Sequence, residues 1–263
     1  MAQATPFELI ENKSPADSVP LISIIIDDLG DHWQRDYQAL QLPGAVTYAI
    51  LPHTPYALPL SLKAADLDKE IILHMPMEPV GSENMGPGGL SMDMSQHELL
   101  ATLHDNFRDM PNIVGMNNHM GSRLTQSVKS MRWIMEEMGQ QYPNFYFIDS
   151  VTSINSVAHN IAEEYGIAHA SRDIFLDHDR NIYTIARQFE KLLDLAKKQG
   201  TAVAIGHPYP ETLEFLEYWL PRLGEKGVKL VPTSTIVEKR QRNPRLWHAS
   251  LSRSPRAVKS LKQ

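Results

Sequence analysis

Residues 21–26 (LISIII), with only Ser23 polar, run directly into two adjacent carboxylates, Asp27 and Asp28. A strand that is apolar on both faces must be covered on both, as in a parallel sheet flanked by helices; an antiparallel sheet with one wet side would alternate instead. Two acids at the end of such a strand are costly to desolvate together. Proteins keep them with a cation, with one acid protonated, or at a solvated turn where one caps the backbone. This segment therefore predicts a parallel α/β fold and draws attention to the carboxyl end of its first strand.

The rest of the chain repeats the pattern. Apolar or β-branched runs at 46–51, 70–73, 113–116, 144–148, 167–170, 202–205 and 229–231 read as further strands, about eight in all, and amphipathic stretches at 56–67, 95–107, 125–138, 154–165, 182–199 and 210–223 read as helices. Such alternation implies parallel strands with helices outside, closed as a barrel or open as a doubly wound sheet. The segment IIIDDLG stands where a dinucleotide fold would place its glycine-rich phosphate loop, which lowers that reading. With 263 residues and 42% hydrophobic content, the chain can bury one large core. The expected organisation is a leader or flexible N-terminus over 1–20, one catalytic domain over 21–238 and a disordered basic tail over 239–263. The segment 81–95 (GSENMGPGGLSMDMS) reads as a mobile or substrate-facing loop.

Formal net charge is -6, but the segment 239–263 holds eight Lys or Arg and no acid, so the remainder carries about -14. An acidic body argues against a nucleic-acid partner, whereas the basic tail is either without a specific partner or suited to contact with an anionic surface. Cysteine is absent, so any metal must rest on His and carboxylate. No apolar run approaches the roughly 20 residues of a membrane span. The sequence carries no signal for an oligomeric state.

In parallel α/β folds, ligands bind beyond the carboxyl ends of the strands. The first predicted strand ends at Asp27 and Asp28, the second leads to His53, the third to His74, the fourth to His119, the fifth to Asp149 and the seventh to His207. Glu78, four residues after His74, can share a divalent ion with it or be a surface acid. His119 lies in GMNNHMGSR, a stretch crowded with Asn117, Asn118, Ser122 and Arg123 that also suits the start of a helix. Asp149 can form an Asx-turn as readily as a site. His53 and His169 stay open. Asp173, Asp177 and Asp179 either line the cleft or, the preferred reading, form a loop preceding the helix from Ile182, and His97, His104, His159 and His248 read as surface residues. Arginine is scarce near the strand ends, which argues against a phosphate substrate.

Taken together, IIIDDLG, KEIILHMPMEP, GMNNHMGSR, FYFIDS and AIGHP resemble, in chain order, the divergent polysaccharide deacetylase family, related to the carbohydrate esterases that remove acetyl groups from glycans. The resemblance implies a deformed (β/α) barrel of about seven parallel strands, a divalent metal, zinc above others, and hydrolysis of an N- or O-acetyl group by a metal-activated water. It also implies a glycan substrate and a periplasmic or secreted location. Carried onto this chain, the catalytic residues would be Asp27 as base and His207 as acid, with Asp149 beside them, and the metal ligands would be Asp28, His74 and His119. The classical second metal-binding histidine is replaced by Glu78, which makes Glu78 the substitute ligand and gives weight to a rival, a non-catalytic glycan-binding or scaffold protein on the same barrel. A different metallohydrolase, such as a phosphoesterase, is the other rival.

Overall fold

A computed structural model describes residues 19–242. The order of elements is β1 (Leu21–Leu29), α1 (Trp33–Leu40), β2 (Thr47–Ile50), α2 (Ala57–Asp66), β3 (Glu70–Met77), α3 (Gln96–Asp109), β4 (Ile113–Met120), α4 (Val128–Gln141), β5 (Tyr146–Asp149), α5 (Ala158–Glu164), β6 (Ala168–Ser171), β7 (Ile174–Phe175), α6 (Ile182–Gln199), β8 (Thr201–Gly206), α7 (Pro210–Trp219), β9 (Lys229–Leu230) and α8 (Thr233–Arg242). The strands form one sheet in the order β6-β5-β4-β3-β2-β1-β8-β7, with β9 on β1, and every pairing is parallel.

The two edges of that sheet belong to one short piece of chain. β6 pairs with β5, and β7, two residues further on, pairs with β8. Between them the Arg172 N–H donates to the carbonyl of Asp149 and the Asp173 N–H to that of Val203. The segment thus passes from one edge to the other and curls the sheet into a deformed barrel. Because β6 and β7 are two ends of one segment, the barrel has seven positions, as expected, although the path holds eight strands.

Strand alternation divides the core in two. Ile22, Ile24 and Ile26 point out under the helices with Tyr48, Leu73, Met116 and Phe147. Ile25 points in with Ala49, Ile72, Ile148, Ala170, Val203 and Ile205. Each fully buried Ile contributes about 1.5–3 kcal/mol relative to an exposed one, and a one-residue slip of β1 would turn Ser23 and Asp27 outward under the helices. α8 adds Ile236 and Val237 to the inner cluster and closes the amino end of the barrel. There, the Thr233 and Ser234 N–H groups donate to Thr47 Oγ1 and Glu70 Oε1, and Arg240 donates to Asp173. The carboxyl end stays open for chemistry.

Several expectations need correction. The boundary at 239 falls inside α8, whose last turn includes Lys239 and the buried Arg240, paired with Asp173 across the barrel base. The rest of the tail, with His248, and residues 1–18 lie outside the described residues. α1, β7 and α8 were not expected. α1 is short and charged, yet Trp33, Tyr37 and Leu40 follow helical spacing, and the Asp36 carboxylate satisfies its start by accepting from the Gly30 and His32 N–H groups. His159 is buried rather than on the surface, against the His169 ring, and His104 is partly buried between Tyr142 and Glu137.

Candidate metal centre

Adjacent residues of a regular strand face opposite sides of the sheet, so Asp27 and Asp28 should not meet one partner. A break in β1 lets them. The register of β1 on β2 shifts between Ile26 and Leu29, and Asp28 has φ 60°, a left-handed conformation that Asp tolerates better than most residues. Asp27 keeps the inward direction of Ile25, and Asp28 swings toward the same opening. Asp27 Oδ2 is then 3.8 Å and Asp28 Oδ1 3.0 Å from the same nitrogen, His74 Nε2.

β3 and β4 supply the imidazoles. His74 is paired in register with Asn117, and Pro76 with His119, so both histidines project from neighbouring strands at the barrel mouth. Asn117 fixes the orientation of His74. Its Nδ2 donates to Asp27 Oδ1 at 2.8 Å, which turns its Oδ1 toward His74 Nδ1 at 2.7 Å. An amide oxygen only accepts, so Nδ1 carries the hydrogen, and in the neutral ring Nε2 presents its lone pair. That lone pair faces Asp28 Oδ1 and, at 3.1 Å, His119 Nδ1, which is itself 2.9 Å from Asp28 Oδ1. Asp28, His74 and His119 form the candidate metal group among the described residues.

These donors fit a divalent ion with zinc chemistry. One carboxylate oxygen and two imidazole nitrogens converge, and one imidazole is held through its other nitrogen by a fixed amide, a donor set that would suit such an ion. Without an ion the same space takes a proton. Burial opposes charge on His74, but the nearby Asp27 charge and the Asp28 hydrogen bond outweigh it and push the ring up to about 9. Burial also opposes charge on Asp28, yet hydrogen bonds from His119 and His74 hold its carboxyl far below the usual range. Asp27, 3% exposed, goes the other way, raised chiefly by burial.

His207 closes the opposite side, with Nε2 3.6 Å from Asp28 Oδ2. Its Nδ1 is 2.9 Å from Asp177 Oδ1, and the Asp177 carboxylate also accepts from the His207 N–H at 2.6 Å and from Thr212 Oγ1 at 2.8 Å. Burial disfavours the imidazolium, but the Asp177 hydrogen bond and charge more than offset this and raise its pKa. Of the two readings of Asp177, a cleft-lining acid and a plain loop, the structure favours the first, because Asp177 is buried and orients the histidine.

The structure does not bring all the expected residues together. Asp149 lies at its strand end, but its oxygens accept from the Val151 N–H and Ser156 Oγ, which is the Asx-turn alternative. Glu78 points away from the ligands and accepts from Arg123, Ser91 Oγ and the Met92 N–H, pinning the 81–95 loop. His53 binds Asn106 and the Asp109 carboxylate at a neighbouring strand end. Four arginines stand near the mouth, more than the sequence suggested, and each is engaged. Arg35 donates to Asp36 and the Asp28 carbonyl, Arg123 to Glu78, Arg172 to the carbonyls of Ser150 and Val151, and Arg180 stacks on Tyr209. Asp28 and His119 open onto a cavity of about 280 Å³ walled by Asp31, His32, Arg35 and, from the loop, Met85 and Pro87.

The barrel and its Asp-His-His cluster define a class. Residues 24–237 match the divergent polysaccharide deacetylase family, and the chain belongs to it. An uncharacterized protein of Haemophilus influenzae is 37% identical over 208 residues, covering 78% of this chain and 72% of the relative. The uncharacterized protein YibQ of Escherichia coli K12 is 34% identical over 220 residues, 84% of this chain and 68% of the relative. Among solved structures, that of an uncharacterized protein from Agrobacterium tumefaciens C58 superposes with a TM-score of 0.79 at 23% identity, over 82% of this chain and 89% of that one, which shows a shared fold. Among the described residues, no helix is long and apolar enough to cross a membrane.

Proposed function

We propose that this chain is a metal-dependent hydrolase that removes acetyl groups from a glycan. The observation that carries the reading is the convergence of Asp28 Oδ1, His74 Nε2 and His119 Nδ1 within 2.9–3.1 Å of one another, with Asp27 and His207 on either side. Asp28, His74 and His119 would hold a zinc-like ion, whose chemistry is to polarise an acetyl carbonyl and make water more acidic.

The side chains divide the proton transfers. Asp27 is buried, its proton affinity is raised, and Asn117 occupies only Oδ1, so Oδ2 is free to take the proton of the attacking water. His207 has Nδ1 committed to Asp177, so Nε2 faces the site in the charged form and donates to the departing nitrogen or oxygen. This is a base and an acid set apart by environment on opposite walls. The family's polysaccharide substrates favour a periplasmic or secreted location, and the basic tail suits an anionic polymer or membrane there.

The test pairs metal analysis with acetate release. The purified chain should bind about one equivalent of zinc and release acetate from an acetylated glycan, and Asp28→Ala should lose both. Full metal content and activity in Asp28→Ala would sink the reading.

A further inference from the structure

The cavity beside Asp28 and His119 is small. At about 280 Å³ it falls just under the roughly 300–1,000 Å³ of small-molecule pockets, so it takes little beyond the reacting unit of a polymer. Neighbouring units must then lie on the surface beyond it, and the segments that line the cavity also bear two exposed aromatic rings.

Trp33 and Tyr56 are each 37% exposed. Trp33 opens α1 between the cavity residues His32 and Arg35, and Tyr56 follows the cavity residue Thr54. The loops that bear them are locked together. The Tyr56 N–H donates to the Gly30 carbonyl at 2.9 Å, and a Cβ on Gly30, at φ 132°, would lie 2.1 Å from Thr54 Oγ1, so only glycine allows this approach. The indole stacks on Tyr37 with ring centroids 5.6 Å apart and planes 17° from parallel, and Tyr56 tilts against it at 6.0 Å. An indole braced in this way loses little further freedom on binding, and its apolar body with a polar edge suits a pyranose ring, which has a C–H face and a hydroxyl rim.

We propose that Trp33 and Tyr56 form a platform that stacks a sugar ring of the glycan outside the reacting position, so that the site prefers a chain to a single unit. This rests on the glycan reading above. Asp28 stands two residues before Gly30, whose loop is locked to that of Tyr56, so the position of the distal ring is tied to that of the reacting one.

The test separates binding from turnover. In zinc-loaded Asp27→Asn protein, titration calorimetry with β-1,4-linked N-acetylglucosamine oligomers, from monomer to pentamer, should show affinity rising with length. Adding Trp33→Ala or Tyr56→Ala should cost about tenfold for the longer oligomers and flatten that rise, while Trp33→Phe keeps most of it. Tyr56→Ala and Trp33→Phe keep the test decisive if Trp33→Ala loosens α1. Affinity independent of length, absence of oligomer binding, or unaltered length dependence in the variants would overturn the platform. Acetate release by the wild-type chain is measured separately. Length-dependent binding that the variants abolish upholds the platform even when no acetate appears, and then only the hydrolase reading falls.

Discussion

Asp177 and His207 each lie two residues beyond a cross-strand pair, Phe175 and Ile205, so the parallel register of β7 on β8 carries the carboxylate to the imidazole, 2.9 Å from Oδ1 to Nδ1. The same carboxylate accepts the His207 N–H and Thr212 Oγ1, which leaves it little freedom to turn. Asp177 thus sets both which His207 nitrogen faces the site and how readily the ring keeps its proton.

Asp177→Asn should lower acetate release by about ten- to a hundredfold with zinc content unchanged, because the proton donor loses orientation and charge support. The sign of the pH effect follows from the raised His207 pKa. The acid must be protonated, so activity falls as pH rises through that pKa. Removing the Asp177 charge lowers the pKa, and the alkaline limb of the kcat/KM profile should move to lower pH. An unmoved limb with full activity would deny His207 its role.

Asn117→Ala breaks the link that joins Asp27 Oδ1 to His74 Nδ1. Zinc affinity should fall by about 10–100-fold, as when the outer partner of a ligating histidine is lost. The buried Asp27 oxygen and His74 N–H, left without partners, should also cost about 1–3 kcal/mol each in metal-free urea unfolding. Competition with a chelator and a denaturation curve read the two effects separately.

Proton and ion compete for the His74 lone pair. In the metal-free chain His74 holds its proton up to about 9. Zinc binding at pH 7 should therefore displace about one proton, and affinity should weaken by about tenfold for each unit that pH falls below that value. Calorimetry in two buffers of different ionisation enthalpy gives the proton count. A count of zero would mean that the ion binds elsewhere.

Much of this arrangement is legible in the sequence, for a definite reason. In a parallel sheet buried on both faces, strands are apolar runs, and the first polar residue after each run marks the mouth of the barrel. Asp27, His74 and His207 follow from that rule. Asp28 does not follow from strand periodicity, because its place depends on a break in register and a left-handed φ that no spacing announces. Asp177 could not be singled out because β7 has only two residues, too few to show a period, although it lies at the same offset from Phe175 as His207 does from its partner Ile205. Asn117 was seen as one of several crowded polar residues. Its function as a bridge depends on the pairing of β4 with β3, which is long-range information.

Glu78 separates sequence spacing from structure most sharply. Its position four residues after His74 suits a ligand, yet β3 runs on to Met77 and carries it past the site, where it accepts from Ser91, Met92 and Arg123. The hydrogen bonds from Met92 and Ser91 and the Arg123 charge outweigh the burial cost and hold its carboxyl below the usual range, as for a group that acts as an anion. Glu78→Ala should keep the zinc stoichiometry of the parent and release the loop, since those donors lose their shared acceptor. Limited proteolysis should then cut within 81–95 about tenfold faster, equivalent to lowering the local opening free energy by about 1.4 kcal/mol. If the variant instead lost its zinc while the loop stayed protected, Glu78 would belong among the ligands, and the geometry of the pinned loop would be secondary to the ion.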